Sequence, residues 1–161
     1  MANSTTERLH LVLPALWLGM LLTVAGIATT SAFAALPVAD AGKVVSRVLA
    51  REAATSLMLG AAWLALDRLR VRRDVDRAAY PQFSADVALG LGAVLCTVAG
   101  YYALQPLMAD ARQGLGRLSF AQWHAVSLAF FGIKVLLVAA LAWRSTALRR
   151  ARSELSRSPS S

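Results

Sequence analysis

Residues 11–36 read LVLPALWLGMLLTVAGIATTSAFAAL, a run with no charged side chain. A bilayer core about 30 Å thick is crossed by about 20 apolar helical residues, at about 1.5 Å of rise each. This run exceeds that length. Bounded by Arg8 and Asp40, it predicts a first membrane span over about 10–36.

Three further segments extend the pattern. The charge-free run from Ala53 to Leu66 would cover only about 21 Å, so the second span reaches back to about 48–66, with Arg51 and Glu52 near its outer end. A third is expected over 86–109, containing Gly90, Gly92, Gly100 and Pro106. A fourth, 118–143, carries Lys134 in its interior. The expected fold is therefore an all-α bundle of four transmembrane helices over 10–143. It follows a short cytoplasmic N-terminus, 1–9, and precedes a flexible basic cytoplasmic tail, 144–161.

The whole chain agrees with this reading: of 161 residues, 57% are hydrophobic and 16% charged, where a soluble domain has about 25% charged. Disorder and most soluble enzymes are excluded. The 17 Lys and Arg against 9 Asp and Glu, a net +8, would suit a nucleic-acid binder. No zinc-ligand cluster, Gly-aromatic RNA signature or helix-turn-helix accompanies the charge, so no nucleic-acid partner is expected. The basic residues instead sort by loop. With the N-terminus inside, Arg8, Arg68, Arg70, Arg72, Arg73, Arg77, Arg144, Arg149, Arg150, Arg152 and Arg157 fall on the cytoplasmic side, and Lys43, Arg47, Arg51, Arg112 and Arg117 outside. That asymmetry predicts both termini in the cytoplasm of a bacterial inner-membrane protein. Trp63 and Trp143 then fall near the inner interface and Trp123 near the outer, as aromatic belts do. Ala32-Phe33-Ala34 resembles a signal-peptidase site, but the apolar run is too long for a leader and Glu7 offsets Arg8.

In lipid, helices associate through small residues rather than through burial from water. Ala88, Gly92, Cys96, Ala99 and Ala103 fall within about 80° on a helical wheel and form the expected packing face of span three. Gly19, Thr23, Gly26 and Thr30 make a second small face on span one. Cys96 is the single cysteine, so no intrachain disulfide exists.

Lys134 is the most informative single residue. A mid-membrane Lys costs about 2.5–3.5 kcal/mol on insertion scales and must pair, snorkel or face a polar cavity. The expected partner is Asp86, whose depth differs from that of Lys134 by roughly one Lys side chain. His124, Ser127, Phe131 and Lys134 share one helix face and form either a polar-lined crevice or a set of helix-fixing hydrogen bonds. Lys43, Arg47 and Arg51 recur every four residues as a cationic interfacial stripe. It would meet anionic lipid headgroups, or mark the entrance for an anionic solute. His10 and His124 are separated by about 20 Å in depth, which disfavours a shared haem, and no cofactor is expected. The one soft-metal grouping, His124 with Met108 and Asp110, reads as ordinary packing, and no metal is expected. Catalytic arrangements such as a Gly-x-Ser-x-Gly elbow or His-Glu-x-x-His helix are missing from the sequence, so no enzyme is expected.

The run from His10 through Trp17-Leu18-Gly19, then Phe33-Ala34-Ala35-Leu36-Pro37, Gly42, Val44 and Ser46, and Trp123-His124-Ala125-Val126-Ser127-Leu128 resembles the transmembrane protein 205-like family, in bacteria the domain of unknown function 4149. The resemblance covers about residues 9–143 and implies a four-helix integral membrane protein with no assigned reaction. His10, His124 and Ser127 carry over as motif positions only. Phe131 stands where the family often has Asn, and Lys134 is unusual for that helix. Two roles are expected to compete. One is an interaction or assembly protein whose small faces dock a larger membrane partner; the other is an oligomeric small-solute or metal-ion transporter with the His124 to Lys134 face along its path.

Overall fold

A backbone in lipid has no water to bond, so helices are the direct way to satisfy its N–H and C=O groups. The computed structural model describes residues 3–73 and 84–155, which are helical apart from short links. The first rod comprises α1 (Asn3–Thr23), a π-helical turn (Val24–Ala28) and α2 (Thr29–Ala35). It stops because Pro37 disfavours helical geometry at the preceding residue, and Leu36 is extended at φ −127°, ψ 152°. The next helix, α3 (Val38–Arg73), has 36 residues, about 54 Å at 1.5 Å each. The third rod is α4 (Ala85–Thr97), a second π turn (Val98–Ala103) and α5 (Leu104–Arg112). Ser84 caps α4, its side chain accepting from the Val87 N–H. A link with Gly114 and Gly116 at positive φ leads to α6 (Phe120–Leu155).

Each rod lies against two others in a ring: α1 against α3, α3 against α4, α4 against α6, and α6 against α1. Sequential neighbours run antiparallel, since His10 at the start of α1 meets Asp67 near the end of α3, and Asp86 at the start of α4 meets Arg144 late in α6. Across the diagonals, α3 with α6 and α1 with α4, the backbones of the described residues do not approach. Trp17, Leu21, Ala93 and Val138 form the centre of the core. Glycines admit the large side chains: a Cβ on Gly60 would stand 2.5 Å from Val94 and 3.1 Å from Trp17, and one on Gly90 2.8 Å from Trp63.

Among the described residues three helices are long and apolar enough to cross a membrane, Thr5–Ala35, Ala85–Arg112 and Phe120–Ala147. They point to a membrane protein. The longest uninterrupted helices include α3, but it is not one of the three, because Lys43, Arg47, Arg51 and Glu52 interrupt its first half and Asp67, Arg68 and Arg70 follow. The stripe lies on the first half of α3, continuous with the segment that follows it. Beyond Trp143 the helix continues to Leu155, where a flexible tail was expected from 144. Arg77 and Arg157 lie outside the described residues. Trp63 is fully buried within the bundle, whereas Trp143 is exposed.

Both π turns leave backbone carbonyls in need of donors. In the first rod Thr29 Oγ1 donates to Val24 O at 2.8 Å, and Thr30 Oγ1 to Gly26 O at 2.6 Å. In the third, the donor comes from a neighbouring helix: Ser127 Oγ of α6 reaches Gly100 O at 2.8 Å.

Candidate functional site

Within the bundle, four side chains from three rods form one polar chain. Trp17 Nε1 of α1 donates to Ser56 Oγ at 2.8 Å, and Ser56 Oγ donates to Glu52 Oε1 at 2.5 Å, one turn earlier on α3. Lys134 Nζ of α6 donates to the same Glu52 Oε1 at 2.7 Å. Glu52 and Lys134 are 4% and 3% exposed, so both charges lie inside an apolar bundle and each is the other's counter-ion. The pair spans the α3–α6 diagonal, a gap that the four-carbon Lys stem can bridge while the backbones stay apart. Lys134 Nζ also lies 4.8 Å from the centre of the Phe131 ring, in cation–π range.

The expected Lys134–Asp86 pair is therefore replaced by two others. Asp86 accepts from Arg144 Nε at 2.5 Å at the bundle end, and Glu52 takes Lys134. Both correspond to depth: Glu52 is 14 residues into α3 from Val38, and Lys134 is 14 residues into α6 from Phe120, each about 21 Å from the same end. The half-exposed Asp86–Arg144 pair is a minor contributor. Asp86→Asn should lower stability by no more than about 1 kcal/mol, read as a thermal shift in detergent.

Glu52 also has a second environment. A cleft of about 380 Å³ opens on the side of the bundle between the first rod and α3, lined by Met20, Val24, Arg47, Val48, Arg51, Glu52 and Thr55. The buried polar chain thus reaches the wall of a laterally open groove.

Residues 12–117 match the family described as a domain of unknown function (DUF4149). The chain belongs to that family. The match covers the first three rods, including Trp17, Glu52 and Ser56, and stops before α6, so that Lys134 and the Trp123 to Leu128 stretch lie outside it. No curated protein and no solved structure matches the chain.

The remaining polar residues of the DUF4149 chain do not gather at one place. His124 is exposed and stacks on Phe120, ring centres 5.8 Å apart, and Ser127 is committed to Gly100 O. The polar face over His124, Ser127 and Lys134 therefore forms no single crevice: three turns of α6 serve three different neighbours. His10 is buried at the opposite end, bonded to Asp67 at 3.4 Å and packed on Trp63 at 4.9 Å between ring centres. Among the described residues no three His, Cys, Asp or Glu lie together as a metal site. Of the stripe, Lys43 is paired with Asp40 at 2.9 Å, while Arg47 and Arg51 line the groove.

The expected packing face of α4 is rotated. Cys96 is buried and Gly92 and Ala99 partly so, but Ala88 and Ala103 are exposed. The buried side runs through Val87, Gly90, Ala93, Thr97, Gly100 and Leu104 instead. Helical periodicity located small residues, but the π turn changes phase after Thr97, and the indole of Trp63 and the Phe130 side chain select Gly90 and Gly100. On the first rod, Gly19, Thr23, Gly26 and Thr30 are all exposed, and a Cβ on Gly19 or Gly26 would meet nothing within 4 Å.

Proposed function

We propose that this is a multi-pass protein of the bacterial inner membrane, with four crossing helices including α3 and both termini cytoplasmic, that acts by docking a partner and catalyses no reaction. The observation that supports docking is the contrast between two sets of glycines. Gly60, Gly90 and Gly100 are filled from within by Val94, Trp63 and Phe130, whereas Gly19 and Gly26 stand open on the bundle exterior. With Thr23 and Thr30, also exposed, they make a smooth strip away from the buried Trp17 and Leu21. Such small-residue strips let a second helix approach closely in lipid. The partner is a membrane helix of another protein or of a second copy, and Gly92, packed on Leu137, is not part of that surface.

The experiment is copurification from native membranes in mild detergent, with and without Gly19→Ile and Gly26→Ile. Stoichiometric recovery of a partner that these substitutions abolish, with unchanged thermal stability, is the expected result. Recovery of a lone monomer from wild type overturns docking.

One observation favours the alternative, a small-solute transporter: Glu52 faces both the Lys134 ammonium and the lateral groove. A transporter would lose uptake in Lys134→Arg, which keeps the charge and the fold but alters the pair. Docking would survive it.

A further inference from the structure

Arg47 and Arg51 have exposed side chains at the rim of the groove. Among the described residues neither has an acidic partner, since nearby Asp40 is taken by Lys43 and Glu52 by Lys134. Their depth makes this costly. Arg51 adjoins Glu52, which is bonded to Lys134, 14 residues from Phe120 and 13 from Ala147 at the two ends of an apolar candidate span. If α3 crosses the membrane, as proposed above, Arg51 lies near mid-depth. Arg47 then lies about 6 Å farther out, one turn along the helix. Exposed cations at that level need an anion drawn to them, or must extend their guanidinium groups toward the interface.

Beside them the groove is apolar, walled by Met20, Val24 and Val48. A solute anion would satisfy the two guanidinium groups but leave this wall bare in a site open to lipid. A phospholipid satisfies both halves. We propose that the groove holds one anionic phospholipid, its phosphate at the locally thinned interface met from below by the guanidinium groups of Arg47 and Arg51 extended toward it, and one acyl chain along Met20, Val24 and Val48. The Glu52 carboxylate does not repel it, being neutralised by Lys134. An anionic lipid is favoured over a zwitterionic one because two unbalanced positive charges face it and a zwitterionic headgroup brings its own cation.

The full-length protein, delipidated in mild detergent, is titrated with phosphatidylglycerol, phosphatidylcholine or inorganic phosphate, and bound lipid is counted by native mass spectrometry. Wild type should retain one phosphatidylglycerol about thirtyfold more tightly than phosphatidylcholine, two cation contacts' worth. Arg47→Gln with Arg51→Gln should abolish that preference. Val48→Trp should block retention while keeping both charges. Equal retention of the two lipids, no loss in the double Arg variant, or displacement by inorganic phosphate would each overturn the proposal. So would a Thr55→Cys, Arg51→Cys crosslink map placing a protein helix in the groove in native membranes. Thiol labelling separates this from the four-span reading: Met58→Cys labelled by an impermeant reagent in sealed vesicles strikes α3 crossing. Protection there with no phosphatidylglycerol preference strikes the lipid proposal alone.

Discussion

Replacing Lys134 by Met should destabilise the bundle by about 3–5 kcal/mol, and replacing Glu52 by Leu in the same chain should restore most of the loss. Removing one member of a buried ion pair leaves the other charge without a counter-ion, which costs about 3–5 kcal/mol in proteins. In Lys134→Met the orphan is the Glu52 carboxylate, 4% exposed and held only by the Ser56 hydroxyl at 2.5 Å. Glu52→Leu alone leaves the Lys134 ammonium with the Phe131 ring face at 4.8 Å, worth about 2 kcal/mol when desolvated. Each single variant should therefore fall in the same range. The double variant has no buried charge, and an apolar replacement of a buried pair is often neutral or better. The coupling energy from the four proteins, measured by unfolding in a fixed detergent, should exceed about 2 kcal/mol. Additive losses would mean that the two side chains do not pair in the membrane. Trp17 should report the same event, because its indole N–H bonds the Ser56 that bonds Glu52; its fluorescence should shift in either single variant and return in the double.

The sequence already carries part of this pair. Glu52 is the sole acidic residue between Asp40 and Asp67, and Lys134 the sole Lys or Arg between Arg117 and Arg144. Two isolated opposite charges in apolar surroundings are a pairing signal. Their equal depth is hidden, because it depends on α3 starting at Val38, while hydropathy starts the span near 48 and puts Glu52 at the interface. The cationic stripe masks the first turns of its own helix. The apolar runs of the first, third and fourth rods, by contrast, are legible, since nothing charged dilutes them over most of their length. Phase is the other quantity that periodicity misses. A wheel drawn at 3.6 residues per turn assumes one helix type, and π turns at Val24–Ala28 and Val98–Ala103 break that assumption. Ala103 leaves the buried side for this reason, and Ala88, which precedes the turn, because shape, not smallness, decides which residues are covered. Gly90 lies under an indole that only the fold brings there.

Gly100→Ala should cost about 1–3 kcal/mol, although one methyl group is added and a soluble helix would gain up to about 1 kcal/mol from the same change. The added Cβ would stand 2.6 Å from Phe130 Cβ and 3.9 Å from its Cα. Those atoms are fixed to the α6 backbone, so no rotamer change relieves the contact and the two helices must separate. Separation also lengthens the bond from Ser127 Oγ to Gly100 O, now 2.8 Å, worth about 1 kcal/mol. Ser127→Ala should cost about that much in wild type and close to nothing in Gly100→Ala, because the bond is already lost there. Gly26→Ala is the control. It sits in the other π turn with nothing within 4 Å of its Cβ, so the melting temperature of the isolated protein should hold or rise. If Gly100→Ala and Gly26→Ala have equal effects, the close approach of the third rod to α6 is not what holds that end of the bundle. If Ser127→Ala costs as much in Gly100→Ala as in wild type, the hydroxyl stabilises α6 by some route other than the carbonyl of the π turn.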